Sequence, residues 1–191
     1  MHHGKISKET AKGLRELRKR IDEANIPSSK LDETLNLATW NIREFGKKRR
    51  LKTSLHYIAE ILGQFDLIAV TEVRDNLADL HETLGILGPY WRAVFSDYVV
   101  DSGGNRERVA YVYDKRMVVF TGLAAEADAP RKKDKKTGEY LPLFSWWRSP
   151  YIASFRAGNF DFVLIAVHIR WGSGKKARIQ PLKLLAEWID K

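Results

Sequence analysis

The chain has 191 residues, enough for one domain with a sizeable core, and no cysteine, so disulfides and thiolate metal sites are excluded. Hydrophobic residues make up 44% and charged residues 30%, the balance of a globular protein, and no apolar run reaches the ~18 residues that span a bilayer. The formal net charge of +9 would suit a polyanionic partner such as nucleic acid. Since the N-terminus lacks the apolar segment of a secretory signal, a cytoplasmic location is expected.

The first 30 residues are predicted to form an amphipathic helix followed by a linker. The helix covers residues 7–24, with Ser7 as N-cap and apolar residues at helical spacing on one face. His2 and His3 resemble a tag remnant and are assigned no role. The core domain is expected to cover residues 31–191, with the first segment packed against it.

The core opens with the order strand, helix, strand, helix. The stretch "LNLATWNIREFG" at 35–46 alternates as a strand does, and residues 51–63 carry a helical apolar stripe. The stretch "DLIAVTEV" at 66–73 is apolar on both faces, which is typical of a central strand. A second helix is predicted over residues 76–87. This order indicates a layered α/β fold.

The remainder of the chain is rich in strands. Five further strands are predicted in the segments "YWRAVFSDYVV", "RVAYVYD", "MVVFTG", "PYIASFRAG" and "FDFVLIAVHI". Residues 122–149 are interpreted as a long basic loop, and a helix is predicted in the closing stretch, residues 179–191.

Three apolar strands end in polar residues that could act together. Asn41, Glu72 and His168 would meet at one rim of a sheet if these strands are neighbours, and sheet rims bind ligands in layered α/β folds. Carboxylate and amide oxygens suit a hard cation, and a histidine beside them can transfer protons. Taken singly, Asn41 is better explained as a turn former and His168 as a histidine that closes a strand. For Glu72, a functional role and a solvated residue that follows a buried strand are equally good explanations.

The basic residues are clustered in three places. They lie at 47–50, 131–136 and 175–178, where the sequence reads "KKRR", "RKKDKK" and "KKAR". Such clusters bind nucleic acid in some proteins and in others are solvated loops that aid solubility. Charge alone leaves these two interpretations evenly balanced.

Five blocks together resemble the endonuclease/exonuclease/phosphatase superfamily, and within it deoxyribonuclease I. In chain order they are "TWNIREFG", "FDLIAVTEVRD", "NRERVAYVYD", "RSPYIASF" and "VLIAVHIRWG". The resemblance runs from about Leu35 to the end of the chain. It implies a DNase I-like four-layer sandwich, in which two packed sheets have helices outside.

The resemblance also implies roles for individual residues. Asn41 would lie next to the scissile phosphate and the metal, and Glu72 would be a ligand for Mg²⁺ or Mn²⁺. His168 would act in proton transfer or phosphate stabilisation, held by Glu107. The arginines that would contact nucleic-acid phosphates are Arg43, Arg74, Arg148 and Arg170. A tyrosine that lies near the phosphate in the family is replaced here by Asn105.

The sequence also departs from the family pattern. The family's later "GDxN" strand end and its final Asp-His pair have no counterpart in this sequence. The chain is therefore expected to be the N-terminal portion of a longer nuclease, incomplete at its C-terminus and inactive alone. Apolar surface of the sheets would then be exposed, which favours self-association or pairing with the missing C-terminal segment.

The resemblance implies a metal-dependent phosphodiester hydrolase with Mg²⁺ or Mn²⁺ as cofactor. Together with the basic charge, it predicts an endonuclease that acts on DNA. No membrane partner is expected. The alternatives are a superfamily phosphatase or lipid phosphodiesterase, and a non-catalytic nucleic-acid-binding module.

Overall fold

Residues 1–98, 106–144, 146, 148–169 and 174–190 are described by a computed structural model, except for the side chains of residues 176 and 177. The helices are α1 (Lys8–Glu23), α2 (Lys52–Leu62), α3 (Ala78–Leu87) and α4 (Lys175–Ile189). The strands are β1 (Leu37–Phe45), β2 (Leu67–Arg74), β3 (Trp91–Phe95), β4 (Glu107–Asp114), β5 (Val119–Glu126), β6 (Arg131–Lys133), β7 (Tyr140–Pro142), β8 (Tyr151–Ala157) and β9 (Phe160–Ala166).

The first helix forms as predicted. Ser7 is its N-cap, since the Ser7 hydroxyl accepts a hydrogen bond from the backbone N–H of Thr10 at 3.0 Å. The helix lies against α2, where Leu14 is buried and the hydroxyls of Thr10 and Thr53 are 2.8 Å apart. The predicted packing of this segment on the core is therefore confirmed.

The first sheet has the strand order β1-β2-β4-β3. Its strands β1 and β2 are parallel because α2 forms the crossover between them, and β4 runs antiparallel to both of its neighbours. As the apolar run predicted, β2 is central and buried on both faces. One face packs under the helices, in a core that includes Leu55, Leu62, Ile68, Val70, Val73, Leu80 and Val112.

The second sheet packs against the other face of the first. It contains β5, β8 and β9, all antiparallel, and the intervening core includes Leu67, Val109, Tyr111, Val118, Tyr151, Ala153 and Phe155. The buried Tyr111 hydroxyl crosses this core and donates to the backbone oxygens of Tyr151 and Leu164 at 2.9 and 3.2 Å. The predicted α/β class and two-sheet sandwich are confirmed.

Two predicted boundaries were wrong. Residues 122–149 are not one loop: β5 continues through a bulge to Glu126, and β6 and β7 form a hairpin inside the segment. The closing helix begins at Lys175, earlier than predicted, and Pro181 lies inside it. In the described ranges, no helix combines the length and apolar character needed to cross a bilayer.

The sandwich has an open side where β1 and β9 lie. No described strand pairs with the free edge of either strand. Between them lies a largely apolar cavity of about 470 Å³, and Leu37 at its mouth is 47% exposed. The apolar surface that the sequence led us to expect is present here.

The N-terminal residues, which the sequence left without a role, pack on the helical layer. The Nδ1 atoms of His3 and His56 are 2.9 Å apart, and His3 Nε2 lies 2.8 Å from Glu60 Oε2. Arg18 donates to both oxygens of the same buried carboxylate, at 2.7 and 3.0 Å. This cluster joins the N-terminus, α1 and α2.

The cluster predicts that acidification destabilises the fold. Burial, His3 and Lys52 lower the pKa of His56, and the opposing effect of Glu82 is smaller. Because the unfolded ring titrates near ~6.5, the unfolded chain binds more protons than the folded chain as pH falls past that value. We expect a lower Tm at pH 5.5 than at pH 7.5 in thermal denaturation, a range in which carboxylates such as Glu60 stay ionised.

A His56→Gln variant is the control for this prediction, since glutamine does not titrate. Its Tm should change less over the same pH range. An equal change in both proteins would contradict the assignment to His56.

Candidate active site

The carboxylate of Glu72 reaches the rim of the sandwich because β2 has a bulge. Ile68 and Val70 face the helices, and strict alternation would turn residue 72 the same way, into an apolar core. Instead Val73 takes that position, the pairing with β4 shifts between Val70 and Val73, and Glu72 has a φ of 62°. The strand also continues to Arg74, so Glu72 lies within β2 and not at its end, where the sequence placed it.

A second bulge in the parallel neighbour β1 completes the support of this carboxylate. The pairing between β1 and β2 shifts after Asn41, and Glu44 has a φ of 49°. This conformation directs the backbone N–H of Glu44 to Glu72 Oε2 at 2.9 Å, while Asn41 Nδ2 donates to Oε1 at 2.8 Å. Such paired distortions are typical of strands that aim side chains at a site.

The second sheet delivers His168 to the same rim. This residue follows β9 by two positions, and its Nε2 lies 3.6 Å from Glu72 Oε1. Its Nδ1 lies 3.5 Å from Oε2 of Glu107, the first residue of β4. The imidazole, 17% exposed, therefore stands between two carboxylates. The residues Asn41, Glu72, His168 and Glu107 thus lie together.

Two arginines surround Glu107. Arg74 faces it across the β2–β4 pairing, with Nη1 3.5 Å from Oε1, and Arg148 Nη2 lies 2.6 Å from Oε2. All three side chains are at least 86% buried. Within the described ranges Glu107 Oε2 and Arg74 Nε lack a well-aligned hydrogen bond, so the short Arg148 contact is an ion pair of poor hydrogen-bond geometry.

The electrostatics set the protonation states at neutral pH. Burial raises the pKa of Glu72, but the hydrogen bonds from Asn41 and Glu44, with nearby cationic groups, hold it below its ordinary value. Burial and the charge of Arg148 lower the pKa of His168, and the two carboxylates oppose them only in part. Glu72 is therefore ionised at pH 7, and the His168 ring is predominantly neutral.

The other sequence-predicted residues divide into two groups. Arg43 is exposed on β1, beyond Asn41. Arg170 and Asn105 lie outside the described residues. Sequence reasoning missed the backbone N–H of Glu44 and the Asp75–Arg106 ion pair at 3.3 Å near the end of β2. No sequence signal marks a glutamate with positive φ.

The donor set fits a hard cation that keeps most of its water. The structure describes no cluster of three or more His, Cys, Asp or Glu side chains at ligand spacing, in the part of the chain that it covers. An ionised Glu72 beside the Asn41 amide supplies one or two oxygen ligands, which is the way Mg²⁺ is commonly held. A softer metal such as Zn²⁺ would require more nitrogen or sulfur ligands.

The sequence also matches a known family. The model of the Endonuclease/Exonuclease/phosphatase family matches residues 38–173, from the second residue of β1 through β9 and His168. No curated protein sequence matches significantly.

Solved structures share the fold at low identity. A functionally unknown conserved protein from Enterococcus faecalis V583 has a TM-score of 0.56 and 15% identity, with 82% of this chain and 61% of that one covered. TDP2 from Caenorhabditis elegans has a TM-score of 0.51 and 16% identity, with coverage of 100% and 62%; its truncated form gives 0.50, 17%, 82% and 54%. The chain thus spans less than two thirds of the length of these proteins.

Proposed function

Because the chain belongs to the Endonuclease/Exonuclease/phosphatase family, a family of phosphodiesterase- and nuclease-type hydrolases, we propose that it is a divalent-metal-dependent nuclease domain that cuts DNA internally. One observation carries the proposal. The ionised Glu72 carboxylate is fixed by two hydrogen bonds at a rim where His168 stands within ion-pair range.

Glu72 and Asn41 would hold the cation, Mg²⁺ or Mn²⁺. A bound dication polarises the phosphoryl oxygen and orients the attacking water. The two hydrogen bonds to Glu72 limit the motion of the carboxylate, so its side chain would lose little conformational entropy when the cation binds.

His168 would act as the group that transfers a proton. Its neutral ring can accept a proton at Nε2, on the side of Glu72, while Glu107 faces Nδ1 and favours the tautomer with a proton there. Glu107 is buried between two arginines, so its role is to position the ring and not to contact substrate.

The arginines would neutralise the phosphodiester. Arg43 is exposed and free to move, whereas Arg74 and Arg148 are held in place by Glu107. We extend the phosphate-binding proposal to Arg170. Arginines bind phosphates without reading sequence, so this set positions DNA and does not select a site.

DNA is the proposed substrate because the charge of the chain suits a long polyanion. A net charge of +9 is more than one small phosphate ester requires. We propose that turnover by these 191 residues alone is slow, because the sequence holds neither the "GDxN" residues nor the Asp-His pair that the family uses. We also propose that residues 1–30 form a helical segment that covers part of the domain at residues 31–191.

The test is cleavage by the protein that the complete gene encodes. Supercoiled plasmid should be nicked with Mg²⁺ or Mn²⁺ and remain intact with EDTA, and nicking should fall steeply with salt. The 191-residue chain should nick more slowly. DNA binding that persists in EDTA without any cleavage by the complete protein would identify a binding module instead.

The open side of the sandwich predicts self-association. Apolar surface around Leu37 and the cavity beside it would be covered by a second copy at high concentration. Multi-angle light scattering should show a concentration-dependent increase in mass, which Leu37→Asp should reduce. The control is Leu51→Asp, at a position 77% exposed and away from the cavity. A monomer at all concentrations, or equal effects of the two variants, would contradict this.

A further inference from the structure

The β6–β7 hairpin carries a concentration of positive charge that the proposed site does not use. Its strands Arg131–Lys133 and Tyr140–Pro142 pair with each other and form a sheet separate from the two large ones. All six residues are exposed, and Tyr140 is 64% exposed. The hairpin is therefore an arm that protrudes from the domain.

The arm keeps a net positive charge, since residues 131–142 hold five basic residues and two acidic ones, Asp134 and Glu139. Asp134 interrupts the basic run, but its Oδ1 accepts the backbone N–H groups of Lys136 and Thr137 at 2.6 and 3.3 Å, so it builds the turn. Arg131 pairs with Asp128 at 3.1 Å. The four lysines of the arm make no ion pair with any described residue; they are Lys132, Lys133, Lys135 and Lys136.

The base of the arm is fixed at the rim of the candidate site. The Ala127 N–H donates to the Pro150 oxygen at 2.9 Å, and the Leu143 N–H donates to the Pro130 oxygen at 2.8 Å. Arg148 lies between Leu143 and Pro150 in the segment that follows the hairpin, and its guanidinium contacts Glu107. The arm and the site are therefore joined by one short segment, which limits the distance between them.

We propose that the hairpin is a nucleic-acid-binding arm whose lysines contact backbone phosphates of duplex DNA away from the scissile phosphate. Lys133 stands opposite Tyr140 on the arm, so a cation and an aromatic ring are presented together. The inference deepens the proposed function, since it rests on DNA as the polymer at the rim. It concerns binding alone, so it can fail separately from catalysis.

The covalent geometry limits the reach of the arm. Tyr140 and Arg148 are eight residues apart, so at most about 28 Å of chain separates them. At about 3.4 Å per base pair, this corresponds to roughly eight base pairs. A duplex that extends about eight base pairs from the site therefore spans any separation that the chain allows.

The experiment measures binding of a labelled 24-base-pair duplex by fluorescence anisotropy, in EDTA and over a range of salt. The variant replaces Lys132, Lys133, Lys135 and Lys136 with glutamine. We expect its affinity to fall at least about tenfold, and the slope of log affinity against log salt to decrease by about 2–4, because each lost phosphate contact removes ~0.9.

A charge-matched control replaces four exposed lysines of the N-terminal segment, Lys5, Lys8, Lys12 and Lys19, and circular dichroism checks that both variants are folded. Unchanged binding of the arm variant, or equal losses in the two variants, would overturn the proposal. If the arm lysines supported binding to anionic vesicles but not to DNA, the proposal would also be overturned, and the partner of the arm would be a membrane surface. Cleavage of bis(p-nitrophenyl) phosphate by the complete protein is read separately: the arm variant should retain it, and its absence in wild type counts against the proposed function alone.

Discussion

Replacing Glu72 with glutamine is expected to abolish metal-dependent cleavage by the complete protein while leaving the fold intact. The substitution removes the negative charge that would hold the dication, and removal of one such electrostatic contact commonly lowers kcat by at least about 100-fold. Glutamine keeps one acceptor for the two N–H groups that now reach the carboxylate, so the loss of stability should be only about 1 kcal/mol. Plasmid nicking and urea denaturation measure the two effects.

Glu16→Gln is the matched control, because this glutamate is exposed on α1, away from the candidate site, and pairs with Arg20 at 3.4 Å. It should change neither nicking nor metal binding. Retained turnover in the Glu72→Gln variant would remove Glu72 from the mechanism.

Replacing Glu107 with alanine is expected to have the largest effect on stability. Arg74 and Arg148 would keep their charges, with side chains only 13% and 14% exposed, and would lose their shared partner. Removing one member of a buried ion pair commonly destabilises a protein by about 3–5 kcal/mol. At about 2–4 °C per kcal/mol for a chain of this size, Tm should fall by roughly 6–20 °C.

The Asp161→Ala variant provides the comparison. Asp161 pairs with Arg156 through two contacts, at 2.7 and 3.0 Å, but both side chains are more than half exposed. An exposed pair is screened by solvent and contributes little to stability, so this variant should unfold close to wild type. A similar decrease in Tm in the two variants would contradict the prediction, because it would show that the burial of Glu107 does not increase its contribution to stability.

Much of the fold could be predicted because its strands differ in pattern. The alternation of 35–46 predicted a strand, and the doubly apolar run of 66–73 predicted a central strand. The helix α2 lies between them as the crossover of a parallel pair. Polar residues after apolar strands then indicated which edge bears the site. Asn41, Glu72 and His168 do lie together there.

The means by which these residues meet could not be predicted. The sequence places Glu72 on the face that β2 buries under the helices, and only the bulge turns it to the rim. A bulge depends on pairing between distant strands, which leaves no local mark on glutamate or valine. The same holds for the β6–β7 hairpin: the turn at Asp134 is local, but polarity and charge made the whole segment resemble a loop.

The proposed function requires that Glu72 and Asn41 hold a divalent cation beside His168. Titration of Mn²⁺ into the isotope-labelled chain, followed by NMR, tests it most directly, because a bound paramagnetic ion broadens the signals of nearby nuclei. We expect selective broadening at the Asn41 side-chain amide, the Glu72 backbone amide and the His168 ring, and we expect the Glu72→Gln substitution to remove it. Broadening that is spread over the acidic surface, or that persists unchanged in Glu72→Gln, would contradict it.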